Sequence, residues 1–358
     1  MSQALGDEQE RGSLRVAEFD YDLPPQLIAQ EPLPDRDRSR MLVLDRQSGE
    51  RFHSSIDRLA EWLTPGDLLV ANNSRVIPAR LHGVRLPGRG ALEVLLLRQE
   101  GGVWTALARP ASRLKPGTEL RFNSQDPNRD VARAIVTDNV GAGEIRLHFP
   151  DGDDQHLEAY GVAPIPPYIT EPLHDAERYQ TVYASVPGSA AAPTAGLHFS
   201  PALLETLATA GLLWAEVTLH VGLDTFRPVT AELVNDHKIH SEWCVVSDAA
   251  AARIAEVRSR GGRVVAIGTT AARTLETLGK TWRQEDPRGF QGYTDTFIVP
   301  GYRWQLVDAL LTNFHLPRST LLMMVSALAG RDRILASYEE AIEREYRFFS
   351  FGDAMLIR

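Results

Sequence analysis

The sequence predicts an α/β protein with a small antiparallel β domain inserted into it. Short strand-like runs separated by turn residues fill the stretch from Ala79 to about Phe149, a pattern typical of a small sandwich or barrel. After Pro150 strands alternate with helices, which indicates a parallel or mixed sheet. The 358 residues are also enough for one large domain and one smaller domain.

The inserted domain is predicted from six runs that end at turns rich in glycine, proline or asparagine. These runs are ARLHGVRL, ALEVLLLR, VWTALAR, ELRF, VARAIVT and EIRLHF. We therefore place the first part of the large domain at residues 15–77, the insert at 78–152 and the second part of the large domain at 153–358. Residues 1–14 are predicted to form a loose tail.

Capping residues and glycines set the predicted elements of the second part of the large domain. Ser200 begins a helix that ends before Gly211, and LLWAEVTLHVG follows as a strand. The next helix runs from Ser247 to Arg260, and RVVAI is a strand of the buried type. A further helix is predicted from Ala271 to Leu278, stopped by Gly279.

The composition excludes several classes of protein. With 43% hydrophobic and 24% charged residues, the chain is typical of a soluble globular protein. The single cysteine, Cys244, rules out an intrachain disulfide and a zinc-type cysteine cluster. No apolar run approaches the ~18 residues of a membrane span, and the polar, acidic N-terminus differs from a secretory signal. We therefore expect a cytoplasmic protein.

The charge of the chain is unevenly distributed. The net charge is −9, yet the stretch from Ala71 to Arg121 holds nine basic and three acidic residues, a local balance of +6. Such asymmetry fits a basic face that contacts phosphates. It equally fits a solvated, arginine-rich β surface, so the charge alone does not decide between them.

The most informative stretch runs from Tyr293 to Gly330. It places five polar residues directly before LLMMVSALA, a run that is apolar on every side: Asn313, His315, Arg318, Ser319 and Thr320. A helix apolar all round is usually buried, and buried polar groups without partners cost roughly 1–3 kcal/mol each. Either these groups satisfy one another, with Ser319 or Thr320 as the helix cap, or they face a ligand in a cleft.

Two other segments place polar side chains at predicted element ends. In PTAGLHFSP, Gly196 and His198 lie on a loop before a helix, where backbone N–H groups favour an anion or polar ligand. HVGLDTFRPV places His220, Asp224 and Arg227 where a strand ends. Ligands of open α/β sheets gather at such carboxyl ends.

The segment DHKIHSE holds two histidines and two carboxylates within seven residues. His237 and His240 could bind a metal if they shared a helix face, but two nitrogens three residues apart are weak evidence for a metal site. Acid–base or hydrogen-bonding roles are therefore favoured over metal binding.

The segment RVVAIGTTAARTLETL reads as a strand, a turn and a helix. Thr269 or Thr270 could cap the helix. Alternatively, Gly268 lets a carboxylate or phosphate approach the helix amides, with Arg273 one turn further on. The turn is not the G-x-G-x-x-G of dinucleotide enzymes, and the chain shows no P-loop, G-x-S-x-G elbow or paired CxxC motifs.

Taken in order, nine motifs resemble the S-adenosylmethionine:tRNA ribosyltransferase-isomerase family of the queuosine pathway. The motifs are FDYDLPPQLIAQEPLPDRDRSRMLVLDR, NNSRVIPARLHG, PTAGLHF, HVGLDTFRPV, DHKIHSE, GTTAARTLE, TDTFIVPGY, TNFHLPRSTLLMMVSALAG and YRFFSFGDAMLI. They run from Phe19 to Ile357. Ile239 stands where the family often has methionine, and Asp224 where many members have glycine.

The resemblance implies both a fold and a reaction. The fold is a large α/β domain, barrel-like with a mixed sheet, and a small inserted antiparallel β-barrel. The reaction transfers and isomerises the ribosyl part of S-adenosylmethionine onto 7-aminomethyl-7-deazaguanine at the tRNA wobble position, giving epoxyqueuosine, adenine and methionine. S-adenosylmethionine is thus a substrate, tRNA is the partner, no metal is expected, and we expect a monomer.

This chemistry requires a base, a proton donor, a carboxylate clamp and partners for the ribose hydroxyls. For proton transfer we expect His198, His240, Glu242 and His315. For binding of S-adenosylmethionine we expect Gly196, Asp224, Arg227, Thr269, Thr270 and Arg273, with Arg227 or Arg273 on the methionine carboxylate. Arg75 and Arg80 are expected to contact tRNA phosphates. Phe348 and Phe349 either stack on a base or pack in the core.

Two readings from other classes remain open. A non-catalytic RNA-binding protein would use the basic insert, and release of adenine from S-adenosylmethionine would exclude it. An enzyme of small sugar or nucleoside substrates would never bind RNA, and a steep salt dependence of tRNA binding would count against it. A class-I methyltransferase is disfavoured because no glycine-rich cofactor loop follows an early strand.

Overall fold

The computed structural model describes residues 14–88, 90–173, 175–222 and 229–358. In chain order the strands are β1 (Arg40–Leu44), β2 (Arg51–Ser55), β3 (Leu68–Asn72), β4 (Ser74–Val76), β5 (Arg80–Leu86), β6 (Gly90–Glu100), β7 (Val103–Arg109), β8 (Glu119–Phe122), β9 (Ala132–Gly141), β10 (Glu144–His148), β11 (Gly161–Val162), β12 (Val186–Ser189), β13 (Leu213–Leu219), β14 (Glu242–Val246), β15 (Val264–Ile267), β16 (Phe290–Thr294), β17 (Ala309–Asn313) and β18 (Ala354–Ile357). The α-helices are α1 (Pro201–Thr209), α2 (Asp248–Ser259), α3 (Thr269–Gly279), α4 (Thr320–Ala329) and α5 (Arg331–Glu343).

A mixed sheet organises the large domain, in the order β16-β14-β13-β3-β15-β17-β18-β1-β2. The four central strands β13, β3, β15 and β17 are parallel to one another, and β14 and β18 flank them in antiparallel orientation. The predicted mixed sheet is therefore confirmed. Because the central strands are parallel, their carboxyl ends lie along one edge of the sheet.

Both faces of this sheet are covered, which explains why its central strands are almost wholly apolar. On one face, Leu68 and Val70 pack in a hydrophobic core with residues of α2, α3, α4 and α5. On the other face, Leu69 and Ala71 pack with residues of α1 and of the 3-10 helix Ile56–Trp62. The strands whose carboxyl ends form this edge are thus packed on both faces.

The inserted domain is a closed antiparallel barrel rather than a sandwich. Its strands follow the order β5-β6-β7-β10-β9-β8, and β8 pairs back onto β5. Gly83 lies at this closure, opposite Leu92 of β6 and Phe122 of β8. A Cβ at Gly83 would lie 2.3 Å from the carbonyl oxygen of Arg121, so only glycine allows the strands to close here. The predicted β-barrel is confirmed.

The end of the barrel domain is not marked by a single residue. Leu157, Ala159 and Tyr160 contribute to its hydrophobic core, and β11 pairs with β5. Chain beyond residue 152 therefore still packs with the barrel, and the predicted division at 78 and 152 stays a prediction.

Helix ends agree with the capping signals, with one exception. Ser200, Ser247 and Ser319 accept hydrogen bonds from the first turns of α1, α2 and α4. Helix α3, however, begins at Thr269, two residues before the predicted start, and Gly279 is its last residue rather than its stop. None of the helices in the described ranges has the length and apolar character needed to cross a membrane.

Candidate functional site

A cleft opens at the carboxyl edge of the parallel strands, and we call it the strand-end cleft. Its open volume is about 650 Å³, and it is lined by Tyr168, Ala192, Pro193, Thr194, Ala195, Val221, Gly268, Thr269, Thr270, Thr312, Phe314, His315, Leu316, Ser319, Leu321, Phe349 and Ser350. Val221, Gly268 and Phe314 come shortly after β13, β15 and β17. The position is the one at which open α/β sheets bind ligands.

The first turn of α3 forms one wall of this cleft. Gly268 is the N-cap, with φ +87° and ψ 158°, and no side chain caps the helix. This backbone conformation is essentially restricted to glycine, and a Cβ would also lie 3.4 Å from the Cβ of Ala195. Capping by Thr269 or Thr270 is therefore wrong. The first amides of a helix lack intrahelical partners and attract anions, so this wall suits a carboxylate or phosphate.

The entry loop of α4 forms a second wall and contains His315. Its Nε2 lies 3.0 Å from the Thr312 hydroxyl, and its backbone N–H donates to the Tyr338 hydroxyl at 2.9 Å. Burial lowers the pKa of His315 to about 3, so the ring is uncharged at neutral pH. Ser319 caps α4, as the sequence predicted. The polar groups of this loop do not pair with one another: His315 contacts Thr312 and Tyr338, and Ser319 bonds within its own loop and helix. His315 and Ser319 also line the cleft, so a role in ligand binding stays a prediction.

His198 lies behind the cleft wall rather than in it. A chain of hydrogen bonds starts at the Thr194 hydroxyl, which donates to Asn313 Oδ1 at 3.0 Å. Asn313 Nδ2 lies 3.1 Å from His198 Nε2, and His198 Nδ1 lies 3.0 Å from the Ser39 hydroxyl. The amide donates to Nε2, so the ring proton is assigned to Nδ1.

The charge state of His198 follows from its surroundings. Burial, and then the positive charges of Arg347 and Arg36, lower the pKa of His198 to about 4. The ring is therefore neutral at physiological pH and has a hydrogen-bond partner at each nitrogen. It lines a second, smaller pocket of about 270 Å³. Its predicted partner in the motif, Gly196, is required by packing, because a Cβ there would lie 2.1 Å from the Tyr183 hydroxyl oxygen.

Glu242 and Arg273 form a buried ion pair at the start of β14, and His240 contacts Glu242. Glu242 Oε2 lies 2.5 Å from Arg273 Nη1, and Oε1 lies 3.2 Å from His240 Nε2. The backbone N–H of Gly222 also donates to Oε1 at 2.9 Å. Burial alone would raise the pKa of Glu242, but the hydrogen bond from His240, the charge of Arg273 and the Gly222 amide together lower it. The carboxylate is thus ionised.

Arg273 is committed to this ion pair. Besides Glu242, its guanidinium donates to the carbonyls of Thr296 at 3.1 Å, His240 at 2.6 Å and Thr294 at 3.1 Å. These contacts hold the end of β16 against α3, and Arg273 is not among the residues that line the strand-end cleft. Arg273 therefore supports the structure around Glu242, which sequence spacing alone could not show.

The remaining predicted residues give no support for a metal site in the described ranges. Asp224 and Arg227 lie outside the described residues. His237 follows the 3-10 helix Val234–Asp236 in an extended conformation, so His237 and His240 do not share a helix face. Within the described ranges no three histidine, cysteine or acidic side chains come together in a group that could hold a metal ion.

The aromatic pair at the C-terminus divides between core and cleft. Phe348 is fully buried and packs against Phe314 at 4.9 Å between ring centroids. Phe349 lines the cleft and packs against Tyr168 at 4.9 Å. The Tyr168 hydroxyl in turn lies 2.6 Å from the Ser350 hydroxyl. Sequence reasoning missed Tyr168 and Ser350, because no local motif connects residues 182 positions apart.

The two arginines predicted to contact RNA lie at the junction with the barrel. Arg75 pairs with Glu177. Arg80 Nη2 donates to the Ile165 carbonyl at 3.4 Å, and its Nε lies 3.9 Å from Glu93. Both side chains are partly exposed. Their contacts leave an RNA-binding role as a prediction.

Comparison with known proteins adds independent evidence. Residues 16–357 match the model of a family described as "Queuosine biosynthesis protein". The chain is 51% identical over 347 residues to the S-adenosylmethionine:tRNA ribosyltransferase-isomerase of Symbiobacterium thermophilum, covering 96% of this chain and all of that protein. The protein of the same name from Acetivibrio thermocellus is 47% identical over 346 residues, with the same coverage.

A solved structure is also similar. The crystal structure of S-adenosylmethionine tRNA ribosyltransferase from Thermotoga maritima matches with a TM-score of 0.55 and 41% identity. The match covers 95% of this chain and all of that one. The chain therefore belongs to the family of queuosine biosynthesis proteins.

Proposed function

We propose that this protein transfers and isomerises the ribosyl moiety of S-adenosylmethionine onto 7-aminomethyl-7-deazaguanine at the wobble position of tRNA. The products are tRNA carrying epoxyqueuosine, adenine and methionine. Full-length similarity to relatives that bear the name of this activity supports the proposal. Because its substrate is tRNA, we propose that the enzyme acts in the cytoplasm. We further propose that it needs no metal and is a monomer.

The observation that carries the proposal is the uncapped first turn of α3 at the cleft. Its free amides can hold the methionine carboxylate, with Gly268 allowing close approach. The apolar rings of Phe349 and Tyr168 nearby offer surfaces for a purine or for the methionine chain. The Thr269 and Thr270 hydroxyls would bind the carboxylate or the ribose.

We assign proton transfer to the pair His240 and Glu242, which contacts Arg273 and, like Arg273, is not among the residues that line the strand-end cleft. The reaction needs a base to take a 5′ proton beside the sulfonium, because the positive sulfur acidifies that carbon. Adenine then leaves with a proton, the amine attacks, and methionine departs as the epoxide closes. His240 is hydrogen-bonded to an ionised carboxylate, an arrangement that orients an imidazole for acid–base work.

His198 and His315 take different parts in this scheme. With pKa values of about 4 and about 3, both rings remain neutral and are poor proton acceptors at neutral pH. We assign them to hydrogen bonding: His315 at the cleft surface and His198 behind Thr194. Arg75 and Arg80 would contact tRNA phosphates.

Adenine release tests the proposal. The purified protein is incubated with S-adenosylmethionine and tRNA carrying 7-aminomethyl-7-deazaguanine, and free adenine is followed by chromatography. We expect adenine release that requires the modified tRNA, because its amine consumes the intermediate that remains once adenine has left. The same tRNA carrying unmodified guanine is the control. Absence of adenine from a folded protein that binds both substrates would remove the proposal.

A further inference from the structure

The smaller pocket beside His198 contains a concentration of positive charge that the proposed reaction does not use. Arg36 and Arg178 line it, together with Ser39, His198 and Ser350. Arg347 lies close enough for its charge to lower the pKa of His198. We call this the arginine pocket. It shares Ser350 with the strand-end cleft.

The guanidinium groups around this pocket are bonded to backbone carbonyls rather than to carboxylates. Arg36 donates to the carbonyls of Leu197 at 3.2 Å and Glu177 at 2.9 Å. Arg178 donates to the carbonyls of Pro34, at 2.9 Å, and Leu33. Arg347 donates to the carbonyl of Glu31. These bonds fix the rim of the pocket without neutralising it.

Acidic side chains are near but do not form ion pairs with these arginines in the described part of the chain. The negative charges of Asp175 and Glu177 raise the pKa of Arg36, and those of Asp353 and Glu31 raise the pKa of Arg347, each by less than burial lowers it. Glu177, however, pairs with Arg75, and Asp353 with Arg40. Burial lowers the pKa of Arg36 and of Arg347, as expected for desolvated cations that lack a full counter-charge.

Two guanidinium nitrogen atoms of these arginines have no hydrogen-bond partner within the described ranges. Arg178 Nε and Arg347 Nη1 are buried and have no hydrogen-bond partner among the described residues. A buried donor without a partner is costly, and buried polar groups are normally satisfied. Arg178 lines the pocket, whereas Arg347 is not among its lining residues. An anion in the pocket would balance the charge of these arginines.

We infer that the arginine pocket binds a phosphate group, namely a backbone phosphate of the RNA next to the reacting nucleotide. The inference rests on the proposed function and deepens it by assigning a subsite. A nucleotide's phosphate lies one ribose away from its base, so a base in the strand-end cleft places its phosphate in the adjoining pocket. The chain Thr194, Asn313 and His198 forms the wall between them.

A cycle of substitutions on both partners tests this subsite. Arg178→Gln removes the charge, and methylphosphonate linkages neutralise, one at a time, the phosphates flanking the wobble nucleotide of an anticodon stem-loop. Binding is measured by fluorescence anisotropy as a function of salt. For the unaltered protein, one of these linkages should weaken binding roughly tenfold or more, as expected for a lost charge-assisted hydrogen bond. The salt slope should fall by about one contact.

Arg178→Gln should show the same loss with ordinary RNA and little further loss with that methylphosphonate. The assignment would be overturned if the methylphosphonate lowered the RNA affinity of Arg178→Gln as much as that of the unaltered protein. It would also be overturned if no flanking methylphosphonate lowered the affinity of the unaltered protein. Arg178→Lys retains the charge and should recover part of the affinity. This variant keeps the test informative where the glutamine variant folds poorly. Arg58→Gln is the matched control, because Arg58 pairs with Glu61 on the exposed surface. This variant should bind RNA with unchanged affinity.

The alternative anion is the carboxylate of S-adenosylmethionine. If Arg178→Gln weakens S-adenosylmethionine binding in calorimetry and leaves RNA binding unchanged, the pocket holds that carboxylate and the inference is wrong. Adenine release by the unaltered protein separates the two failures. When that activity is present and the cycle shows no coupling, only the subsite fails.

Discussion

Glu242→Gln should destabilise the protein strongly, because Glu242 and Arg273 form a buried ion pair. Their side chains are 5% and 7% exposed, and their nearest atoms are 2.5 Å apart. Removing one partner of such a pair leaves the other charge uncompensated, at a cost of about 3–5 kcal/mol. Glutamine keeps one oxygen for the Gly222 amide or for Arg273, so we expect about 3 kcal/mol.

The assay is urea unfolding followed by tryptophan fluorescence, with the free energy of unfolding taken from the linear dependence on denaturant. Arg273→Met in the Glu242→Gln background should recover part of the loss, because it removes the uncompensated guanidinium. Glu61→Gln, which breaks an exposed pair with Arg58, should leave the midpoint unchanged. An unaltered midpoint in Glu242→Gln would show that the buried ion pair contributes nothing to stability.

Three further predictions concern the cleft and its supports. Gly268→Ala should cost about 1–3 kcal/mol of stability, because its backbone conformation is almost exclusive to glycine, and should weaken S-adenosylmethionine binding in calorimetry; unchanged affinity would exclude the α3 amides. Ser319→Ala should lower the free energy of unfolding by about 1 kcal/mol through loss of the α4 cap, whereas Ser319→Asp should retain most of it. The third prediction is a loss of stability as pH falls below 6.5, since the unfolded chain protonates His198 and His315 first, their folded pKa values being about 4 and about 3; urea midpoints that stay flat between pH 7 and 5 would contradict it.

The sequence predicted the barrel strands well because each carries its own alternation and ends at a turn. VWTALAR and ELRF coincide with β7 and β8 as observed. Closure into a barrel depends on Gly83, whose contact with Arg121 joins strands far apart in sequence. Pattern alone therefore left sandwich and barrel open, and the family resemblance decided between them.

The candidate site was predicted less completely. Thr269, Thr270 and His315 do line the cleft, since each lies near the carboxyl end of a parallel strand. His198 is the last residue of the 3-10 helix Thr194–His198 and, four residues after Thr194, lies on the far side of the wall.

The contacts of Arg273 could not be predicted, for a different reason, and its role in binding S-adenosylmethionine stays a prediction. Its guanidinium meets carbonyls from β16 and a carboxylate from β14, and such contacts depend on tertiary packing. Spacing along one helix gives the position of a side chain but not its partners.

Transfer of the ribosyl group from S-adenosylmethionine to RNA can be measured directly. The direct measurement uses S-adenosylmethionine labelled with tritium or carbon-14 in the ribose, and tRNA carrying 7-aminomethyl-7-deazaguanine. We expect label to enter the RNA in step with the adenine released. Adenine release without label in the RNA, or no reaction by a folded protein that binds both substrates, would contradict the proposed transfer.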